Sequence, residues 1–155
     1  MNYWEALQQS VRSCIQAGQI GTPVFVRCTA ITADTQDVIL SQAAGVIMCL
    51  NDWFSSVPAQ IYAVGQETSG HCAVTLQYPT GATAILSVSL DHSQPNIDLT
   101  VIGSEGAAYH SQTIQTLRDG SLMPLKSGEL ESVVGAIRSS LSLNRPVEIN
   151  MDGVR

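Results

Sequence analysis

The stretch from Asp37 to Ser56 constrains the fold of this chain more than any other. Its run from Val38 to Phe54 is apolar almost all the way round a helical wheel, and a helix with that pattern must be buried on most of its sides. Polar residues such as Gln42 and Asp52 interrupt the run, so it lacks the roughly 20 uncharged residues of a membrane span. The sequence therefore predicts a central helix of a globular protein, about 27 Å long, and no membrane partner.

The composition indicates one domain with little charged surface. A chain of 155 residues is long enough to bury about two thirds of its surface, and we expect a single domain over residues 1–155. Only 13% of the residues are charged against 45% hydrophobic, so we expect a partner to cover some of the apolar surface. The net charge of -6 and the single lysine, Lys126, leave no basic stripe for phosphates, and a nucleic acid is not an expected partner.

The cysteines and the N-terminus indicate a reducing compartment. The four cysteines are spaced too evenly for a zinc ribbon and form no CxxC pair, so we expect reduced core cysteines. They are Cys14, Cys28, Cys49 and Cys72. The N-terminal residues lack the basic and apolar segments of an export signal. The cytoplasm is the expected location.

Periodicity and turn residues predict the other elements. From Tyr3 to Ala17 apolar residues recur at intervals of three and four residues, which predicts a helix. The same intervals from Glu129 to Leu141 predict the last helix. Alternating stretches predict strands. These strands are Val24–Ala33, Gln60–Gly65, His71–Tyr78, Ala82–Leu90 and Ile97–Ile102, then one or two within Ala107–Leu117, a return through Ser121–Leu125 after the Asp119–Gly120 hairpin, and an edge strand at Val147–Ile149.

These elements predict an α+β fold. We expect an open, largely antiparallel sheet with helices packed on one face. The strands from Gln60 to Ile102 follow one another with short turns between them, so we expect them to form an antiparallel meander.

The histidines and glycines suggest little chemistry. His71, His92 and His110 form no metal motif, and Cys72 points to the sheet face opposite His71. His92 lies beside Asp91 and near Asp98; a small polar site is one interpretation, and a solvated loop is the one we favour. Gly103–Gly106 lacks the GxGxxG spacing, so we expect a tight β-turn rather than a phosphate loop. No residue is predicted to bind metal.

Four phrases carry a family resemblance, in this order: Ile15-Gln-Ala-Gly-Gln-Ile-Gly-Thr-Pro23, Trp53 with Pro58-Ala-Gln-Ile-Tyr-Ala63, Val101-Ile-Gly-Ser-Glu-Gly106, and Asn144-Arg-Pro-Val147. They are similar to "GxIG", "W…P..V.A", "v.G..G" and "grPv" in one family. The chain resembles the C-terminal substrate and dimerisation domain of the Gfo/Idh/MocA oxidoreductases, the family of glucose-fructose oxidoreductase and inositol dehydrogenase. The resemblance covers nearly the whole chain and implies the same fold.

The chain departs from this family in two ways. Family members have an N-terminal Rossmann domain for the nicotinamide cofactor and a catalytic lysine, which these residues do not include. The family commonly has a "G.HxxDxxxW" segment whose His and Asp face the substrate, and counting back from Trp53 places Val46 and Cys49 there. Neither side chain can replace the acid-base group. We therefore expect no catalytic residue and no bound cofactor.

The family resemblance also implies subunit pairing through the outer face of the sheet, and thus a homodimer. The residues expected on that face are Thr75, Gln77, Ile85, Ser87, Ser89, Thr100 and Ile102. Our first functional hypothesis is a stand-alone, non-catalytic relative that acts as a dimeric binding or scaffolding module. The alternative is the substrate-binding half of a split or truncated NAD(P)-dependent oxidoreductase, completed by a separate Rossmann-domain protein. A third hypothesis is a small-molecule pocket lined by Met48, Trp53 and Tyr78.

Overall fold

The computed structural model describes residues 3–32, 39–91, 95–113 and 129–149. These residues form three α-helices, one short 3₁₀ helix at Glu67–Ser69 and one sheet of seven strands. The helices are α1 (Tyr3–Gln16), α2 (Ile39–Phe54) and α3 (Glu129–Leu143). The strands are β1 (Pro23–Thr32), β2 (Gln60–Gln66), β3 (His71–Gln77), β4 (Thr83–Leu90), β5 (Asn96–Gly103), β6 (Ala107–Thr113) and β7 (Val147–Glu148). The predicted hairpin at Asp119–Gly120 and the return through Leu125 lie outside the described residues.

The sheet is open and largely antiparallel, as predicted. Its strand order is β6-β5-β1-β4-β3-β2-β7, and every neighbouring pair is antiparallel except β1 with β4. The predicted meander is wrong at one point, because β1 lies between β4 and β5. Alternation along a strand indicates which face is buried, but it does not indicate which strand lies alongside.

The helices cover one face of the sheet. Val26, Cys28 and Ala30 of β1 are fully buried on that face, where α2 packs on β1, β3 and β4 while α3 packs on β2. The alternate residues of the strands point the other way, and Ile85 there is 43% exposed. We call this second surface, formed by the outward-pointing residues of β1 to β6, the open face.

Helix α2 is the centre of the domain, as its sequence predicts. Eleven of its 16 residues are buried, and it packs against α1 and α3 as well as the sheet. The helix ends where Ser55 takes a positive φ of 49° and the backbone N–H of Ser56 donates to the carbonyl of Asn51 at 3.0 Å. This is the left-handed C-cap arrangement that closes many helices.

The glycine turn between β5 and β6 locks the loop before β1 in place. The N–H of Gly103 donates to the carbonyl of Gly106 at 2.8 Å, which confirms the predicted turn. The N–H of Glu105 donates to the carbonyl of Ile20 at 3.1 Å, and the N–H of Thr22 donates to Ser104 Oγ at 3.0 Å. A Cβ atom built on Gly103 would lie 1.9 Å from the Ile20 carbonyl oxygen, so the backbones meet here without room for a side chain.

We expect Gly103→Ala to lower the free energy of unfolding by about 3 kcal/mol, because its methyl group would force two backbone segments apart. The matched control is Gly135→Ala on α3, where nothing lies within 4 Å of the added Cβ atom. That change should raise the free energy of unfolding by about 0.5 to 1 kcal/mol, since alanine favours helix. Urea denaturation of both variants measures the difference, and equal effects would contradict the tight junction.

Candidate functional site

The residues that the family resemblance places at the substrate lie on one face of α2. Val46 and Cys49 are three apart, and Gln42 lies one turn before Val46, so all three point the same way. They are 1%, 6% and 1% exposed respectively. We call these three residues the covered face of α2. In the sequence Gln42 is a polar interruption of the apolar run, and its spacing of four from Val46 is the signal that places it on this face.

Helix α1 packs over Cys49 on this face with side chains spaced four residues apart. Trp4 Nε1 donates a hydrogen bond to Cys49 Sγ at 3.1 Å, and Gln8 Nε2 donates to the same sulfur at 3.2 Å. Arg12 continues the row and forms an ion pair with Asp52. The three contacts join the two helices along two turns. Their effect is to fill the space over Cys49 with protein atoms.

The thiol of Cys49 is chemically quiet in this setting. Burial raises its pKa from the ordinary value of 9.0 to about 11, although the hydrogen bond from Trp4 acts in the opposite direction. The desolvation of a thiolate thus outweighs the effect of the Trp4 N–H donor on the pKa. At neutral pH the sulfur keeps its proton, and a protonated buried thiol is a poor nucleophile and base. Val46 has no ionisable group at all, so neither position supplies a base to a substrate.

The predicted pocket residues lie in or near the core. Trp53 and Tyr78 are 3% and 4% exposed, and Met48 is half-buried. The Tyr78 hydroxyl donates to Asn51 Oδ1 at 3.0 Å, and its ring packs on Phe54 with 4.4 Å between centroids. Burial also raises the pKa of Tyr78. These contacts give each residue a packing role, and the pocket stays a prediction.

The histidines are dispersed over the fold. His71 lies on the open face with Nε2 3.2 Å from Ser87 Oγ, and Cys72 is fully buried on the opposite face, as predicted. His110 is half-buried, and His92 lies outside the described residues. Asp98 is exposed on β5. Among the described residues no group of three or more His, Cys, Asp or Glu side chains could hold a metal ion.

The prediction of core cysteines is confirmed for Cys28, Cys49 and Cys72, which are buried, whereas Cys14 is only half-buried. Cys14 lines a cavity of about 150 Å³ between α1 and the β5–β6 edge of the sheet, together with His110 and apolar side chains of both layers. All four thiols are free.

The residues expected at a subunit interface do lie on one surface. Thr75 on β3 pairs with Ile85 on β4, which in turn lies next to Arg27 on β1, and Arg27 pairs with Thr100 on β5. These residues form one row across the sheet. Ile85 and Ile102 are 43% and 37% exposed. The seven residues predicted for the dimer face all belong to the open face, where they are exposed or half-buried. Tyr109 on β6 pairs with Thr100 and ends the same row. It is 76% exposed and was not among the residues predicted for the dimer face.

Comparison with known proteins identifies the fold. No family model and no curated protein sequence matches the chain, whereas many solved structures do. The myo-inositol 2-dehydrogenase of Lactobacillus plantarum is 12% identical with a TM-score of 0.67, over 96% of this chain and 64% of that one. The scyllo-inositol dehydrogenase of Lactobacillus casei, solved with NAD(H) and scyllo-inositol, is 12% identical with a TM-score of 0.66, over 96% and 62%.

A myo-inositol dehydrogenase of Corynebacterium glutamicum is also 12% identical, with a TM-score of 0.68 over 92% of this chain and 61% of its own. The fold is therefore the one that the family resemblance predicted. The chain spans about three fifths of the length of these dehydrogenases. None of its described helices has the length and apolar character needed to cross a membrane.

The buried thiols predict how stability depends on pH. Burial raises the pKa of Cys49 and Cys72 to about 11 and that of Cys28 to about 12, from 9.0. The unfolded chain ionises near pH 9 while the folded protein keeps its thiol protons, so stability present below pH 9 is lost as the pH rises. We expect Cys49 alone to lower the free energy of unfolding by about 1 kcal/mol between pH 8 and pH 10.

Urea denaturation at both pH values measures this change. Cys49→Ala should reduce the pH-dependent loss by the same amount. Val46→Ala, which also removes buried volume on α2 but no ionisable group, should lower stability equally at both pH values. A Cys49→Ala variant with the same pH-dependent loss as the unmodified chain would contradict the raised pKa.

Proposed function

We propose that this domain is a non-catalytic relative of the oxidoreductase substrate domain and acts as a dimeric binding or scaffolding module. The observation that carries the proposal is the pair of hydrogen bonds from Trp4 and Gln8 to Cys49. Oxidation of a hydroxyl group needs a base that accepts its proton as the hydride leaves. Val46 and the protonated Cys49 offer none, and the Trp4 and Gln8 side chains of α1 occupy the space over Cys49.

The open face supports the dimeric part of the proposal. It runs across six strands, which at about 4.8 Å apart make a surface about 29 Å wide, and a strand of eight residues is about 26 Å long. That surface of roughly 750 Å² is close to the 800 Å² or so that each partner of a stable complex buries. Large apolar side chains on it, Ile85, Ile102 and Tyr109, are exposed in the single chain.

The alternative function is the substrate-binding half of a divided NAD(P)-dependent oxidoreductase. The match to only about three fifths of each dehydrogenase chain supports it, because a second protein could then supply the cofactor domain. On this alternative the open face could still pair subunits. The two functions differ in whether the chain takes part in cofactor or substrate binding.

We expect the purified chain to bind neither NADH nor NADPH, and not scyllo-inositol in their presence. Isothermal titration calorimetry with each compound tests this, with the molecular mass in solution measured in the same buffer. If the chain is a dimer and releases no heat on titration with these compounds, the result supports the non-catalytic module. Binding of a cofactor or of the polyol would overturn the non-catalytic proposal in favour of the oxidoreductase half.

We expect Ile85→Glu to weaken the dimer at least tenfold, since it places a carboxylate in the middle of a face that loses water on association. Leu143→Glu is the matched control, because Leu143 is 53% exposed at the end of α3 and away from the open face. Sedimentation equilibrium measures both dissociation constants. Equal effects, or no effect of Ile85→Glu, would rule out this face.

A further inference from the structure

The open face is almost free of charge. Over the described residues of β1 to β6 it carries one arginine, Arg27, one aspartate, Asp98, and no lysine or glutamate. Glu148 lies beyond them on the short edge strand β7. The remaining outward positions are small, amide, hydroxyl, imidazole or apolar side chains. Two opposite charges on such a surface are distinctive because like or unpaired charges are costly once water is removed.

Arg27 and Asp98 lie near each other close to the middle of the sheet. In the register of β1 with β5, Arg27 pairs with Thr100 and Thr29 pairs with Asp98. Arg27 and Asp98 are therefore diagonal neighbours on adjacent antiparallel strands. Both side chains are exposed. Arg27 is also level with Ile85 on its other side, which places it next to the apolar centre of the predicted dimer face.

Within the chain these two charges do not pair with each other. Two ion pairs between described residues are Arg12 with Asp52 and Arg138 with Glu67, and neither Arg27 nor Asp98 takes part in them. Diagonal neighbours in a sheet have Cβ atoms about 7 to 8 Å apart, and their side chains project outward from the same surface. The geometry of the single chain thus leaves both charged groups directed at whatever covers the open face.

A second copy of the chain is the partner that suits this arrangement. Packed sheets lie about 10 Å apart, a gap that an extended arginine and a short aspartate span together. A two-fold axis lying between two open faces, midway between the two side chains, places each Arg27 over the other copy's Asp98. One ion pair is then formed twice. Covering Arg27 without such a carboxylate would leave a buried, unpaired guanidinium, at a cost of several kcal/mol.

We propose that Arg27 of each subunit pairs with Asp98 of a second copy, and that these two reciprocal ion pairs set the register of the dimer. This inference rests on the dimer under Proposed function and adds the contact that selects one docking geometry. A flat face of small side chains offers many sliding positions of similar energy. Two specific charge pairs select among them because every other register leaves four charges unpaired.

Charge exchange tests the proposal directly. Arg27→Asp gives a chain with two carboxylates on the open face, and Asp98→Arg gives a chain with two guanidinium groups there. Each variant alone should have a dimer dissociation constant at least tenfold higher than the unmodified chain, because like charges meet twice. An equimolar mixture should form a heterodimer, in which both pairs are again of opposite sign. Native mass spectrometry at low ionic strength distinguishes the three species by mass.

Two control variants carry matched charge changes at exposed positions away from the open face. Arg138 and Glu131 both lie on α3, and both are exposed. Arg138→Asp and Glu131→Arg should leave the dissociation constant within about twofold, and mixing them should show no preference for the heterodimer. Circular dichroism checks that every variant is folded.

The outcomes separate this inference from the dimer itself. A monomeric unmodified chain overturns both. If the unmodified chain is a dimer and the Arg27→Asp and Asp98→Arg variants dimerise equally well, the proposed dimer stands and the ion pairs are overturned. Folded variants that are monomeric alone and stay monomeric on mixing also overturn the pairing between subunits. Weakened single variants with a restored heterodimer support it.

Discussion

The burial of α2 is the constraint on which the rest of the structure depends. A helix with eleven buried residues out of 16 cannot lie on a surface, so it requires a sheet beneath it and helices beside it. The sheet contributes the fully buried residues of β1, β3 and β4 on that side. Helices α1 and α3 complete the enclosure. Because the three α-helices of the described residues all lie on one side of the sheet, the other side is left uncovered as the open face.

The same burial suits the side chains found at the two α2 positions that the family resemblance places at the substrate. Val46 is a buried apolar side chain, and Cys49 fills its position as a small side chain that accepts two hydrogen bonds. A carboxylate at Cys49 would have to lose its hydration at a position only 6% exposed, which is unfavourable unless it is fully paired. A neutral side chain at position 49 is therefore compatible with the cover that Trp4 and Gln8 provide.

Much of the fold could be predicted from local patterns. The apolar circumference of α2, the alternation along β3, β4 and β5, and the Gly103 turn each indicate their structure within a few residues. The place of β1 between β4 and β5 could not be predicted, because alternation is the same for any neighbour. The contacts of Trp4 and Gln8 with Cys49 were also missed. These contacts join residues more than 40 positions apart. The apolar spacing of α1 indicates that one stripe of the helix is buried, but it does not indicate which element packs against that stripe.

The position of β1 has a consequence for how the chain folds. Residues 23–32 are synthesised before both strands that hydrogen-bond to them, at 83–90 and 96–103. Until then β1 has two unsatisfied edges, and closing such long loops is slow. A nascent chain in which α1, β1 and α2 are complete and β4 and β5 are not yet made therefore exposes an apolar helix and an unpaired strand, and both features favour aggregation. The domain should depend on chaperone binding during synthesis more than a protein whose neighbouring strands are consecutive.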